Sequence, residues 1–130
     1  MQKYDFLFHY DYGKWLADEL IKQGKQICII AFNSRREKEL KIKNYDVINI
    51  NKIRIQLGLS YKNNVYNSEE FIRLNNKFNF YQIRRAITPS SFYYGWYKED
   101  KYIKLLYSYI KAWEFIFENL IKCTRAHALE

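Results

Sequence analysis

The fold is decided by one apolar stretch, Gln26-Ile27-Cys28-Ile29-Ile30-Ala31-Phe32. Its apolar residues are consecutive and do not alternate with polar ones, which is typical of a strand covered on both faces in a parallel sheet. A second run of this kind occupies residues 4–9. The residues between the two runs have the apolar spacing of a helix. The predicted helix ends at Gly24, because glycine readily adopts the left-handed conformation that terminates a helix. The order strand, helix, strand predicts a βαβ unit.

A third and shorter run, at residues 46–49, extends this pattern. The polar residues 33–40 precede it, with Asn33 or Ser34 available to cap a second crossover helix. Crossovers between parallel strands are right-handed in nearly all cases, so the expected strand order is 3-2-1, with the second strand in the middle. We therefore predict a three-layer α/β domain, a Rossmann-like half of a doubly wound sheet.

The helices carry more specific expectations. In the first helix, Trp15, Leu16, Leu20 and Ile21 are predicted to face the sheet. Residues 52–59 fit either a strand, by their alternation, or a short helix that ends before Gly58. Ser68 followed by two acidic residues predicts another helix start.

A long helix is predicted over residues 99–122, where apolar residues recur every three or four positions. An apolar face this broad requires cover from the sheet, from a second copy of the chain, or from a part of the protein outside the sequence. We expect a homodimer through this helix or through the open edge of the sheet. The stripe comprises Tyr102, Leu106, Tyr109, Trp113, Ile116 and Leu120, and the side predicted to face water includes Ser108, Lys111 and Glu114.

Length and composition limit the class of protein. A chain of 130 residues with 48% hydrophobic residues suits one globular domain, here residues 1–122, followed by a tail at 123–130 whose final Leu129-Glu130 resembles a cloning scar. No apolar run approaches the roughly 20 residues of a transmembrane helix. The N-terminus lacks the long uncharged stretch of a signal peptide. We therefore expect a cytoplasmic protein with no transmembrane segment.

The net charge of +8 raises the question of nucleic acid. Gly and Pro are scarce while Lys, Asn, Ile, Tyr and Phe are abundant, as in proteins from genomes of low GC content. The basic residues are also scattered, which favours a solvated surface over a nucleic-acid groove. Cys28 and Cys123 have no metal-ligand spacing around them and are interpreted as reduced thiols. Neither a metal nor a cofactor is predicted.

Parallel sheets bind ligands beyond the carboxyl ends of their strands, which places the candidate site at residues 9–14 and 33–36. His9 is interpreted as a general base or ligand donor, or as a strand-end histidine bonded to the backbone. Asp11 is either a helix cap or a second catalytic residue. Five further residues are predicted to bind ligand from the two loops: Tyr12, Gly13, Asn33, Ser34 and Arg35. The aromatic residues 92–97 fit either ring stacking or core packing.

Three segments resemble the N-terminal region of bacterial capsular or surface polysaccharide biosynthesis proteins of the glycosyltransferase-B type. They are residues 4–8 with His9 at their end, residues 16–30, and residues 112–122 of the long helix. The resemblance implies a sugar acceptor or a nucleotide sugar as partner, because the N-terminal domain of such enzymes takes the acceptor and a C-terminal domain binds the donor. It also implies an N-terminal fragment that is inactive alone. A small basic α/β module for nucleic acid or another anion is the alternative.

Overall fold

A computed structural model describes residues 3–59, 68–78 and 99–122 of the chain. The predicted aromatic cluster at residues 92–97 and the tail at 123–130 lie outside these ranges. The chain divides into two compact units, one formed by Met1–Asn51 with Phe115–Glu130 and the other by Lys52–Glu114. We describe each unit by itself.

The first unit contains a three-stranded sheet made of β1 (Phe6–Phe8), β2 (Ile27–Ala31) and β3 (Asp46–Asn49). All neighbours are parallel, and β2 lies between β1 and β3. Leu7 is paired with Cys28, and Ala31 is paired with Asn49. The prediction of an α/β fold with a parallel sheet is confirmed, while assignment to the Rossmann-like class stays a prediction.

Two helices connect the strands, α1 (Tyr10–Lys22) and α2 (Ser34–Ile42). They supply Ala17 and Leu40 to a cluster of buried side chains with Ile27, Ile29 and Ala31 of β2. The residues of β2 that point to the opposite face, Cys28 and Ile30, are also buried. Because both faces of β2 are excluded from water, its sequence is an unbroken apolar run.

Both helices end in the same way. Gly24 follows α1 with φ of +85°, and Asn44 follows α2 with φ of +69°. In each case the left-handed residue donates its backbone N–H to a carbonyl of the last turn, and so does the residue after it. This arrangement is a Schellman motif, and it satisfies carbonyl groups that the helix leaves without partners.

Helix α1 turns a different face to the sheet from the predicted one. Trp15 is 74% exposed and Leu16 and Ile21 are also exposed, whereas Ala17 is fully buried. The reason is the small residue at position 13: a Cβ built on Gly13 would lie 2.6 Å from Cδ1 of Phe8, so the helix approaches β1 closely along its 13–17–20 face. The expectation for Trp15, Leu16 and Ile21 is therefore wrong.

The second unit is helical over its described residues. Helix α3 (Ile50–Gln56) begins in the first unit directly after β3 and ends before Gly58, whose φ is +72°. The alternation of residues 52–59 therefore belongs to a helix and not to a strand. Helix α4 (Ser68–Phe78) starts at the predicted serine. Helix α5 (Glu99–Asn119) has 21 residues and reaches into the first unit at Phe115.

Helix α5 is buried on more than its apolar stripe. Ser108 is fully buried and Glu114 is 9% exposed, although both were expected to face water. Ser108 Oγ accepts a hydrogen bond from Arg54 Nε, and Glu114 accepts hydrogen bonds from Arg73 and Lys111. These partners offset the cost of burying each polar group. Four residues of the apolar stripe are covered within this chain itself: Leu106, Tyr109, Trp113 and Ile116.

The end of α5 is joined to the segment that precedes β1. Tyr4 and Ile121 form a parallel β-bridge, with Tyr4 N–H donating to the Leu120 carbonyl at 2.7 Å and Lys122 N–H donating to the Tyr4 carbonyl at 2.9 Å. An ion pair between Lys122 and Asp5 at 3.4 Å lies beside it. Within the described ranges, no helix is both long enough and apolar enough to cross a membrane.

Candidate functional site

The loops that follow β1 and β2 meet beyond the carboxyl ends of these strands. Arg36, in the first turn of α2, is paired with Asp11, in the first turn of α1, at 3.0 Å between Nη2 and Oδ1. Asn33 caps α2, since its Oδ1 accepts the Arg36 N–H at 2.8 Å. Asn33 and Asp11 thus hold the backbone and the side chain of one arginine. This contact connects the two loops.

Aromatic rings line the same edge of the sheet. His9 is the residue directly before α1, and its ring stacks on Phe32 with 5.9 Å between centroids and 20° between planes. Tyr12 lies edge-on to the His9 ring, with 6.4 Å between centroids, and is itself 88% exposed. Because His9 and Phe32 follow neighbouring strands, their stacking is a second contact between the loops.

Gly13 contributes a close approach of backbone to side chain. Its N–H donates to the His9 carbonyl at 2.9 Å in the first turn of α1. The contact with Phe8 described above leaves no room for a Cβ at this position. The observed role of Gly13 is therefore to let α1 pack against β1, while its role in binding ligand stays a prediction.

Of the two neighbouring arginines, Arg36 contacts the first loop, while the role of Arg35 in binding ligand stays a prediction. Arg35 is paired with Glu39 at 3.3 Å and its side chain is 90% exposed, and Ser34 beside it is exposed. The signal that separates the arginines is the position of Leu40, which is fully buried. Residues four apart share a helix face, so Arg36 lies on the face of Leu40 and Arg35 on the face of Glu39.

Three basic side chains, none of them singled out from the sequence, surround Tyr10. We call this group the Tyr10 cluster, formed by Tyr10, Lys14, Arg36 and Lys43. The Lys43 Nζ donates to the Tyr10 hydroxyl at 3.0 Å, and the Arg36 guanidinium lies 4.8 Å from the ring centroid. Lys14 Nζ lies 5.6 Å from that centroid. The hydrogen bond from Lys43, together with the Lys14 ammonium, lowers the pKa of Tyr10.

A second tyrosine packs against the Tyr10 ring. Tyr45 packs edge-on against Tyr10, with 5.8 Å between centroids, and donates its hydroxyl to Asp18. Burial and the Asp18 carboxylate raise the pKa of Tyr45 to about 12. Two tyrosines in contact therefore have opposite environments, one cationic and one anionic.

A polar group also lies at the carboxyl end of β3. Asn49 is 5% exposed, and its Nδ2 donates to Oε1 of Glu37, which is 7% exposed. The Glu37 carboxylate is paired with Lys41 at 3.2 Å, and the Asn51 amide donates to the Phe32 carbonyl at the end of β2. These contacts connect α2 with the ends of β2 and β3. Glu37 and Asn49 were not singled out from the sequence, because nothing in the pattern of α2 marks Glu37 as buried.

This edge of the sheet carries groups that can bind a ligand. It offers aromatic faces, hydrogen-bond donors and cations, which suit sugar rings and anionic groups. Among the residues that the structure describes, no three His, Cys, Asp or Glu side chains are grouped so that they could hold a metal ion. Burial raises the pKa of the Cys28 thiol, and its Sγ lies 3.6 Å from the Phe6 carbonyl inside the sheet. Cys28 is therefore an unreactive core residue.

Comparison with known proteins finds no matching family model, no matching curated protein and no matching solved structure. A functional assignment for this chain therefore depends on its own residues and on the resemblance of its three segments to polysaccharide biosynthesis proteins.

Proposed function

We propose that this chain is the acceptor-side domain of a glycosyltransferase-like protein of surface polysaccharide biosynthesis, and that it binds a sugar ligand at the carboxyl ends of β1 and β2. The observation that carries the proposal is the meeting of the two loops, through the Asp11–Arg36 ion pair at 3.0 Å and the stacking of His9 on Phe32. Loops at this edge form the ligand site of open α/β sheets.

The exposed aromatic side chain at the site supports a sugar as the ligand. Tyr12 is 88% exposed beside the His9 ring, so its face can take a pyranose ring without any rearrangement of the core. Asp11 and Arg36, which are paired at the same edge of the sheet, offer polar atoms for sugar hydroxyls. His9 and Asp11 remain the candidate catalytic residues of a complete enzyme, and the domain alone is expected to bind without turnover.

The test is an NMR titration of the ¹⁵N-labelled chain with N-acetylglucosamine and with UDP-N-acetylglucosamine. We expect shift changes at residues 9–13 and 32–36, and Tyr12→Ala should weaken binding about fivefold, equivalent to about 1 kcal/mol of lost stacking. Ile42→Ala is the control, because Ile42 is an 82% exposed apolar residue at the end of α2 remote from the two loops. The proposal fails if neither compound binds, or if the two variants weaken binding equally.

The Tyr10 cluster favours a second candidate function, the binding of nucleic acid by a small basic module. Three cations surround one aromatic ring there. Proteins bind single-stranded nucleic acid with such combinations of cations and aromatic rings. Titration with a ten-nucleotide oligo-dT separates the two functions. Tight binding that declines steeply with added salt, together with no binding of either sugar compound, would select the nucleic-acid module.

A further inference from the structure

The Tyr10 cluster has more hydrogen-bond donors than acceptors. Lys43 Nζ donates to the Tyr10 hydroxyl oxygen at 3.0 Å, which leaves the hydroxyl hydrogen to find an acceptor of its own. Within the described part of the chain, no carboxylate is paired with Lys14 or Lys43. Two ammonium groups and one hydroxyl thus converge with no anion between them.

The carboxylates nearest to the cluster are already engaged. Asp11 is paired with Arg36 at 3.0 Å, and Glu39 is shared between Arg36 and Arg35 at 3.2 and 3.3 Å. Asp18 accepts the Tyr45 hydroxyl. Asp11 and Glu39 offset the charges of Arg36 and Arg35, and the two lysines at Tyr10 outnumber the one remaining carboxylate, Asp18.

The cluster is also anchored by two helices of the fold. Tyr10 and Lys14 belong to α1, Arg36 belongs to α2, and Lys43 is the residue at which α2 ends. The Tyr10 ring packs on the buried core and against Tyr45, so its hydroxyl has a defined position at the surface. Lys14 and Lys43 are exposed, and an incoming anion can reach them.

We infer that the Tyr10 hydroxyl and the ammonium groups of Lys14 and Lys43 form a binding site for a phosphate group, as a monoester or a diphosphate. A phosphate oxygen supplies the acceptor that the hydroxyl hydrogen lacks, and its charge offsets the two lysines. This inference rests on the proposed function and deepens it, because it assigns the anionic part of a phosphorylated sugar ligand. Arg36 connects the two places, since it lies over the Tyr10 ring and binds Asp11.

The experiment is a titration of the ¹⁵N-labelled chain with pyrophosphate at low ionic strength. Shift changes are expected at Tyr10, Lys14 and Lys43, and Lys14→Gln and Lys43→Gln should each raise the Kd about fivefold, which corresponds to one exposed charge-assisted contact. Lys22→Gln is the matched control, because it removes the same charge from an exposed position in the last turn of α1. Its Kd should stay within twofold of the unmodified chain.

A second readout does not depend on affinity. The Tyr10 side chain can be labelled with ¹³C at Cζ and its phenol titrated with and without pyrophosphate. A bound anion should raise the pKa of Tyr10, because negative charge opposes ionisation of the phenol. Tyr10→Phe should keep the fold and weaken pyrophosphate binding, because only the donor is lost.

The outcomes separate this site from the proposed function. Binding of N-acetylglucosamine without binding of pyrophosphate leaves the proposed function standing and overturns the phosphate site. Binding of pyrophosphate at Tyr10 without any sugar binding supports the phosphate site and removes the proposed function. Equal weakening by Lys22→Gln, Lys14→Gln and Lys43→Gln shows diffuse attraction by net charge and overturns the site.

Discussion

At the scale of single residues, the packing of Gly13 makes a sharp prediction. Alanine normally favours a helix over glycine by about 1 kcal/mol. At this position the new methyl group would lie 2.6 Å from Cδ1 of Phe8 and 3.3 Å from its Cβ, so the base of the ring and not its flexible end must move. We expect overpacking to dominate and Gly13→Ala to lower the free energy of unfolding by about 1–2 kcal/mol.

Urea denaturation of Gly13→Ala, Phe8→Ala and the double variant measures this effect. Removal of the Phe8 ring relieves the overlap, so the double variant should be more stable than the sum of the two single losses implies. An increase in stability for Gly13→Ala alone would show that α1 does not approach β1 closely.

Glu70 gives a prediction on pH dependence. Its carboxylate accepts hydrogen bonds from Arg73 and from Lys111, and these contacts lower its pKa to about 2 from the usual 4.5. The stabilisation is therefore complete above pH 4.5 and is lost as the pH falls toward 2. Glu70→Gln should cost about 1 kcal/mol at pH 7, and this difference should vanish near pH 2.

Thermal unfolding across this pH range provides the measurement for Glu70. Glu69→Gln is the control, since Glu69 is exposed and adjacent. Glu69→Gln should change the free energy of unfolding at pH 7 by less than about 0.5 kcal/mol. A Glu70→Gln penalty of the same size at pH 2.5 and pH 7 would contradict the assigned ion pairs.

At the scale of secondary-structure elements, the ends of α1 and α2 differ in one residue. Both end in a Schellman motif, but the left-handed position is Gly24 after α1 and Asn44 after α2, where φ is +69°. A side chain at positive φ is strained, and glycine is not. Asn44→Gly should therefore raise the free energy of unfolding by about 0.5 kcal/mol, and Asn44→Ala should lower it by about 1 kcal/mol.

Gly24→Asn is the matched variant at the end of α1. It should lower the free energy of unfolding by the amount that Asn44→Gly raises it. Guanidinium denaturation of the three variants decides the matter. Equal stability of Asn44→Gly and Asn44→Ala would mean that residue 44 does not adopt the left-handed conformation.

The elements also show which features could be read from the sequence. The unbroken apolar run of β2 predicted a buried parallel strand, and Gly24 predicted the end of α1, because each depends on local sequence alone. The face of α1 could not be predicted, since it depends on the fit of Gly13 against Phe8. The buried Glu114 was missed for a similar reason: its cationic partners Arg73 and Lys77 belong to another helix.

The candidate site was predictable in position but not in detail. Strand order places the loops after β1 and β2 side by side, and both loops were identified from the sequence. Whether Arg36 or Arg35 contacts the first loop depends on how α2 is rotated about its axis. The burial of Leu40 fixes that rotation, and it is known only from the structure. The Tyr10 cluster depends on Lys43, more than thirty residues away in the chain, and no local pattern indicates that contact.

At the scale of the whole molecule, the bridge between Tyr4 and Ile121 has a kinetic consequence. It joins residues more than a hundred positions apart, so the chain must close a large loop before this contact is gained. The local turns of α1 and α2 do not have to wait for that closure. The bridge should therefore be absent from the folding transition state. Its loss should then change the rate of unfolding and not the rate of folding. Ile121→Val, at a residue only 2% exposed, should then speed unfolding about fivefold for a loss of about 1 kcal/mol and leave the folding rate unchanged in stopped-flow experiments. Ile29→Val in the centre of the sheet should instead slow folding. If Ile121→Val slows folding and Ile29→Val only speeds unfolding, the chain closes before the sheet forms.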